Sequence, residues 1–303
     1  MSFAAQSPCK VNLLLNILGK RTDGFHELET IMQPVALCDT LEFIETASEQ
    51  GVTLTSNKAE LPTDATNLVH RAATAFLKTS GVKAGFKIHL EKRVPMAAGL
   101  GGGSANAATT LTALNARFGR PLDAATLQSL AASLGSDVPF FLQHGPALAT
   151  GRGEVVVSLD PFPALKDTWI LLIHPGFGIA TSWAYQTLAR YPEGLNGRPG
   201  RAHALIEALR ASSLEAAAPH FFNSLEFPAL DKYPVLALYQ RFLRNEGAAA
   251  SLMSGSGSTT FAIFHSESTA TRAMGRFLEH FGSEAWTAVV PLQASAPASA
   301  RGN

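Results

Sequence analysis

Residues 95–108 read Pro-Met-Ala-Ala-Gly-Leu-Gly-Gly-Gly-Ser-Ala-Asn-Ala-Ala, with glycine at Gly99, Gly101, Gly102 and Gly103. Without Cβ atoms such a loop takes left-handed conformations and lets an anion approach the backbone closely. Consecutive N–H groups in it form an anion-binding concavity. A helix opening from it adds the positive end of its dipole and its unpaired donors. A plain turn seldom needs this density of glycine, so the stretch reads as a cradle for a polyphosphate.

The flanks place that loop between a strand and a helix. Residues 86–90 alternate apolar and polar as a half-buried strand does. Residues 105–118 carry Ala108, Leu111 and Leu114 at helical spacing, and Ser104 stands where an N-cap is expected. The loop matches neither common nucleotide fingerprint. A Walker A loop needs a lysine after its last glycine, and none follows. A Rossmann fingerprint needs a third glycine where Ser104 stands, and an acidic residue about twenty positions on. The nearest acid, Asp123, follows Gly119 and Pro121 and reads as a helix start.

The rest of the chain bounds the class of protein. Its 303 residues allow two domains, and 46% hydrophobic with 16% charged residues supplies a sizeable core. Lysine plus arginine equals aspartate plus glutamate, at 24 each, which argues against a nucleic-acid binder relying on a basic surface. No apolar run approaches the ~20 residues of a membrane helix. The N-terminus lacks an apolar signal core, and Cys9 and Cys38 are too few for a disulfide framework. A cytoplasmic enzyme is the expectation.

Strands are expected over 10–18 and 28–45, with turns at 19–24 and near Asp39. A helix follows over 67–80. Residues 128–142 hold short helical pieces, and 145–158 return to strand. A continuous apolar strand spans 169–174, and later come a strand over 248–253, the loop Ser-Gly-Ser-Gly-Ser at 254–258, a strand over 259–264 and a helix over 267–281. Mixed runs without strict βαβ alternation indicate an α+β fold. The final Ala/Ser/Pro-rich stretch reads as disordered.

Phosphoryl transfer needs a group that orients the attacking hydroxyl, a cation and a metal. Asp137, in Leu-Gly-Ser-Asp-Val-Pro-Phe-Phe, is the candidate base; its apolar neighbours would dry the site and raise its basicity. The competing reading has Asp137 capping a short helix that begins at Val138. Lys10, at the start of an apolar strand, is the matching cation, against a reading as a solvated strand-edge lysine. Phe25 and His26 follow a turn and suit stacking and edge recognition of a ring, although a lone histidine is more often structural. Residues 254–258 are either a hairpin loop or a second phosphate contact. Histidine and cysteine are too scattered for a zinc site.

Taken together, residues 8–18, 19–33, 92–108, 134–141 and 253–258 resemble the GHMP kinases, small-molecule kinases that include galactokinase, homoserine kinase and mevalonate kinase. The P-x-x-x-G-L-G pattern of that family is matched by Pro95, Gly99, Leu100 and Gly101. Nearly the whole chain takes part. The resemblance narrows to the branch that phosphorylates a cytidine-diphosphate-linked methylerythritol in isoprenoid-precursor synthesis.

The resemblance implies a two-domain α+β GHMP fold: a ribosomal protein S5 domain 2-like part over 1–160, a ferredoxin-like α/β part over 161–291, and a tail over 292–303. The active site would lie in the cleft between the two parts. Catalysis would fall to Asp137 as base and Lys10 as its partner. ATP, with Mg²⁺, would be held by Pro95, Met96, Ala97, Ala98, Gly99, Leu100, Gly101, Gly102, Gly103, Ser104 and Ala105. Asn67, Leu68, Lys92 and Met96 would lie near the adenine, and Gly255, Ser256, Gly257 and Ser258 would close the site. Asn12, Phe25, His26 and Tyr185 would hold the cytidine end. No nucleic acid or membrane partner is implied. Two departures stand out: the family's serine pair, whose hydroxyl helps hold Mg²⁺, is Gly102-Gly103 here, with Ser104 next, and Phe25 stands where tyrosine is common. Two other readings remain: a GHMP kinase for homoserine or mevalonate, which has no evident need of residues 24–30, and a non-catalytic sensor, which has no need of both Lys10 and Asp137.

Overall fold

The computed structural model describes residues 1–195, 197–211 and 213–293. Its strands are β1 (Ser2–Lys20), β2 (His26–Thr46), β3 (Val52–Ser56), β4 (Gly85–Glu91), β5 (Ala147–Gly151), β6 (Val155–Ser158), β7 (Trp169–His174), β8 (Phe222–Asn223), β9 (Ala250–Met253), β10 (Thr260–Phe264) and β11 (Trp286–Pro291). Its helices are α1 (Leu68–Ser80), α2 (Gly102–Arg117), α3 (Ala124–Leu134), α4 (Thr181–Leu188), α5 (Arg201–Arg210), α6 (Leu214–Ala217), α7 (Glu226–Lys232), α8 (Pro234–Asn245) and α9 (Glu267–Phe281). The strands form two mainly antiparallel sheets, in keeping with an α+β fold. The larger has the order β3-β4-β2-β1-β8, with the β5-β6 hairpin attached to β2, and the smaller has the order β11-β7-β10-β9.

Side-chain patterning explains the layers. Along β7, Ile170 and Leu172 face a core shared with Val11, Leu13 and Ile31 of the large sheet. The intervening Leu171 and Ile173 face Leu236, Leu243 and Phe277 of α8 and α9. Both faces are covered, which is why this strand reads as an unbroken apolar run. Helices α1, α2 and α3 cover the outer part of the large sheet, where Phe43, Phe86, Phe76 and Leu111 pack together. The shared core joins the two sheets and holds the cleft between them in place.

Three local expectations change. No turn interrupts the chain at Asp39. Strand β2 runs through it, and the register jumps from Pro8 opposite Cys38 to Cys9 opposite Val35. The extra residues are absorbed as a bulge, which re-aims side chains without ending the strand. Helix α2 begins at Gly102 with left-handed Gly101 as its N-cap, so Ser104 lies inside the first turn and does not cap it. Leu292 is buried, and Gln293 donates to the Phe162 carbonyl at 2.9 Å, so the stretch read as a tail starts packed. Residues 294–303 of that tail lie outside the described residues.

Candidate active site

The glycine loop links β4 to α2. Gly99 and Gly101 adopt φ +77° and +68°, conformations that favour glycine. A Cβ at Gly99 would fall on the Ser254 carbonyl oxygen, and one at Gly101 would come within 3.0 Å of Lys10 Cε and the Phe141 ring. The loop is thus pressed between β1 and the turn after β9. Lys10 N donates to Leu100 O at 3.0 Å, Thr259 N to Ala98 O at 3.2 Å, and Ser254 Oγ to Gly99 O at 2.9 Å. Ala98, Leu100 and Ala105 are buried in apolar surroundings, so they shape the loop through their backbone.

Lys10 is not a solvated edge residue. It lies on β1 between β2 and the glycine loop and is buried. Its ammonium donates to Asn12 Oδ1 at 2.6 Å and to Gly99 O at 3.1 Å, and stands 3.6 Å from Asp137 Oδ2. Asn12 is fixed in turn by donating to Thr30 Oγ1 at 2.8 Å, and Thr30 donates to Leu14 O at 2.6 Å. Asp137 makes no cap to the 3-10 turn that starts at Pro139. Its side chain is 42% exposed and faces the cleft, so the expected dry surroundings are not found there. The Phe140 side chain beside it is buried, and its ring packs edge-on against Phe141.

A cleft of about 930 Å³ runs from the glycine loop past this pair to an aromatic end. There His26 and Tyr185 have ring centroids 5.2 Å apart, and the Arg152 guanidinium lies 4.8 Å from the Phe25 centroid. Among the described residues lining the cleft, Asp137 is the one carboxylate, against Lys10, Lys20 and Arg152. Burial, helped by nearby Lys20, lowers the His26 pKa, so its ring is neutral at neutral pH. Burial first, and then Asp137, raises the Tyr185 pKa, and its hydroxyl keeps its proton. From the other sheet, Ser256 Oγ meets Thr181 Oγ1 at 2.9 Å, and Gly255 lies over Lys10 and Asn12.

The residues expected near adenine separate. Leu68 lies under the loop: a Cβ at Gly103 would be 3.7 Å from its Cδ1. Asn67 caps α1, accepting from Val69 N at 2.8 Å, and its amide donates to Pro62 O at 2.7 Å. Lys92 turns inward to a buried ion pair with Asp39. Asp39, Thr30 and Ser254 are contributors that the sequence did not single out by role. The sequence around Asp39 carries no distinguishing signal, since Glu27, Glu29, Glu42 and Glu45 lie on the same strand, whereas the glycine-serine turn was the signal for Ser254.

Two family models match the chain: GHMP kinases N terminal domain over residues 67–145, and GHMP kinases C terminal over 205–282. A protein of Pelotomaculum thermopropionicum named 4-diphosphocytidyl-2-C-methyl-D-erythritol kinase is 40% identical over 277 residues, covering 91% of this chain and 94% of that relative. One of the same name from Syntrophus aciditrophicus is 43% identical over 268 residues, covering 88% and 91%. A crystal structure of 4-(cytidine 5'-diphospho)-2C-methyl-D-erythritol kinase superposes with a TM-score of 0.75 at 33% identity, covering 95% of this chain and 99% of that one.

Proposed function

The chain belongs to the GHMP kinases, in the 4-diphosphocytidyl-2-C-methyl-D-erythritol kinase family, and on that premise we propose how its own residues carry the reaction. ATP phosphorylates the 2-hydroxyl of the methylerythritol unit of a cytidine-diphosphate-linked acceptor, yielding the 2-phosphate and ADP, a step of isoprenoid-precursor synthesis. The observation that carries the reading is the Lys10–Asp137 pair, set between a left-handed glycine loop and an aromatic end of one cleft.

The N–H groups of the loop and of the first turn of α2 cradle the phosphates, aided by the helix dipole. Asp137, open to the cleft, accepts the proton of the attacking hydroxyl. Lys10, already held by Asn12 and the Gly99 carbonyl, sets its ammonium between that hydroxyl and the phosphate loop. It offsets the negative charge that develops there, and its fixed partners spare reorganisation during transfer. Phe25 and Tyr185 flank the cytosine and His26 reads its edge. The excess of cations over carboxylates in the cleft suits an acceptor that carries a diphosphate.

Among the described residues no three His, Cys, Asp or Glu side chains gather as a metal cage. An ion carried in on the nucleotide would need few protein ligands, because Mg²⁺ dehydrates reluctantly and keeps phosphate and water ligands. Ser104, in the first turn of α2, would be the hydroxyl to hold it beside the phosphates. When bound, Mg²⁺ would neutralise charge on the β- and γ-phosphates.

The test is ATP consumption across an acceptor panel: the cytidine-diphosphate-linked methylerythritol, unlinked methylerythritol, homoserine and mevalonate. Turnover with the first alone is expected. Turnover with homoserine or mevalonate at an equal or higher kcat/KM would overturn the acceptor assignment, and binding without turnover of any acceptor would favour the sensor.

A further inference from the structure

We propose that Asp39 is a positioning residue for the phosphate loop, which it grips at both ends while fixing the Lys92 ammonium beneath the first residue of α2. The inference rests on the kinase reading above.

Asp39 is wholly buried and follows the β2 bulge. Its carboxylate is saturated by donors from both sides of the glycine loop. Oδ1 accepts Arg93 N at 2.8 Å and Val94 N at 2.9 Å, in the segment that enters the loop. Oδ2 accepts Asn106 Nδ2 at 2.9 Å, from the helix that leaves it, together with the Lys92 ammonium. Asn106 is braced a second time by donating to Ser7 Oγ at 2.9 Å on β1. A buried carboxylate is costly unless fully paired, and here the pairing joins β1, β2, the loop entrance and α2 at one group.

The position of Lys92 makes this more than a structural tie. A Cβ built on Gly102 would lie 2.8 Å from Lys92 Nζ, so the ammonium sits against the N-terminal residue of α2. Because the ammonium is paired with the Asp39 carboxylate, what it sets against that end of the helix, where the phosphates are to be bound, is a fixed dipole and not a net charge. The same contact gives a steric reason for glycine at 102 in place of the family's serine: a side chain would press on the ammonium that Asp39 holds. Asp39 therefore acts through Lys92 and the loop backbone, without touching either substrate.

The experiment measures dissociation constants for ATP, ADP and AMP by calorimetry, together with steady-state kinetics, on the wild type, Asp39→Asn, Lys92→Met and the double variant. In Asp39→Asn, ATP affinity should fall by about tenfold or more, the scale of a lost charge-assisted contact. AMP affinity and the acceptor KM should stay within about twofold, because the loss is confined to the outer phosphates. Lys92→Met should narrow the ATP-to-AMP ratio in the same direction, which keeps the idea testable if Asp39→Asn does not fold. The double variant should lose less than the sum of the single losses. Equal loss for ATP, AMP and acceptor would mean general destabilisation and overturn the proposal, as would unchanged ATP affinity in either single variant. A wild type that turns over no acceptor would instead refute the kinase reading, whereas an active wild type with an unaltered ATP-to-AMP ratio in the variants would refute only the role of Asp39.

Discussion

Lys10 Nζ stands 3.6 Å from Asp137 Oδ2 and 2.6 Å from Asn12 Oδ1, so one buried ammonium joins the candidate base to the strand that carries it. If Asp137 takes the proton of the acceptor hydroxyl, Asp137→Asn removes the base while leaving the shape. Its kcat should fall by about 10²–10⁴-fold, the usual range for general-base removal. ATP affinity should persist, since on the proposed reading the carboxylate meets the acceptor and not the nucleotide. Single-turnover rates and nucleotide titration check both halves, and an unimpaired rate would remove Asp137 from the mechanism. Lys10→Met should also abolish turnover, and it should weaken the loop through the lost contact to Gly99 O.

Two glycines of the loop should respond in opposite ways. Gly99 has φ +77°, and a Cβ there would collide with the Ser254 carbonyl, a backbone atom that cannot step aside. Gly99→Ala should therefore disrupt the loop, with a strain of about 1–3 kcal/mol before the collision is counted. Gly103 lies in α2 at an ordinary φ, with only Leu68 Cδ1 at 3.7 Å from a built Cβ. Gly103→Ala should fold as well as the wild type or better, because alanine favours a helix by up to about 1 kcal/mol over glycine. Thermal melts of the pair check this, and equal melting temperatures would contradict the assigned geometry.

Much of the frame was legible because it depends on local pattern. The helix over 267–281 and the strand over 169–174 were read to the residue, from amphipathic spacing in one and an unbroken apolar run in the other. The β2 bulge was not legible, because register is settled by the partner strand and not by the residues that slip. The start of α2 was misplaced for a related reason: Ser104 has the chemistry of a cap, but left-handed Gly101 ends the loop earlier. At the candidate site, Lys10 and Asp137 could be nominated by residue type, yet their meeting is a property of the tertiary fold. The partners of Lys92 lay further out of reach. A buried charge seeks its counter-charge in space, and Asp39 lies on a strand remote in sequence.

The aromatic end of the cleft offers a pH signature. Burial and Lys20 depress the His26 pKa below its ordinary value, so the ring stays neutral through the physiological range. Protonation, reached only below about pH 6.5, would put a second cation beside Lys20 and remove an acceptor from the ring. The acceptor kcat/KM should hold level at neutral pH and fall on acidification, and His26→Gln should flatten that limb. A kcat/KM that rises on acidification would count against edge reading by the neutral ring.

Phe25 is 54% exposed, with Arg152 over its ring, and so gives little to the core. Phe25→Ala should leave the melting temperature nearly unchanged while raising the acceptor KM, since stacking on a base is worth about 1–3 kcal/mol. Phe25→Tyr keeps the ring and should keep the KM close to that of the wild type. An acceptor KM indifferent to Phe25→Ala would place the cytosine elsewhere.

Glu226 provides a test of stability independent of the chemistry. It accepts from Met253 N at 2.7 Å, just before the turn at residues 254–258, and from Gln240 Nε2 at 2.6 Å. Burial pushes its carboxyl up to about 7. A carboxyl with a raised folded pKa is bound by its proton more tightly in the native state than in the unfolded chain. Its neutral form therefore costs nothing below the unfolded value of about 4.5, and stability is lost as pH rises from there to about 7, levelling off above. The loss is at most about 3 kcal/mol, at 1.36 kcal/mol for each unit between the two values. Glu226→Gln keeps an acceptor oxygen for Met253 N and cannot ionise. Its melting temperature should match the wild type near pH 4 and exceed it near pH 8, and parallel curves across that range would show that Glu226 does not ionise at a cost to the fold.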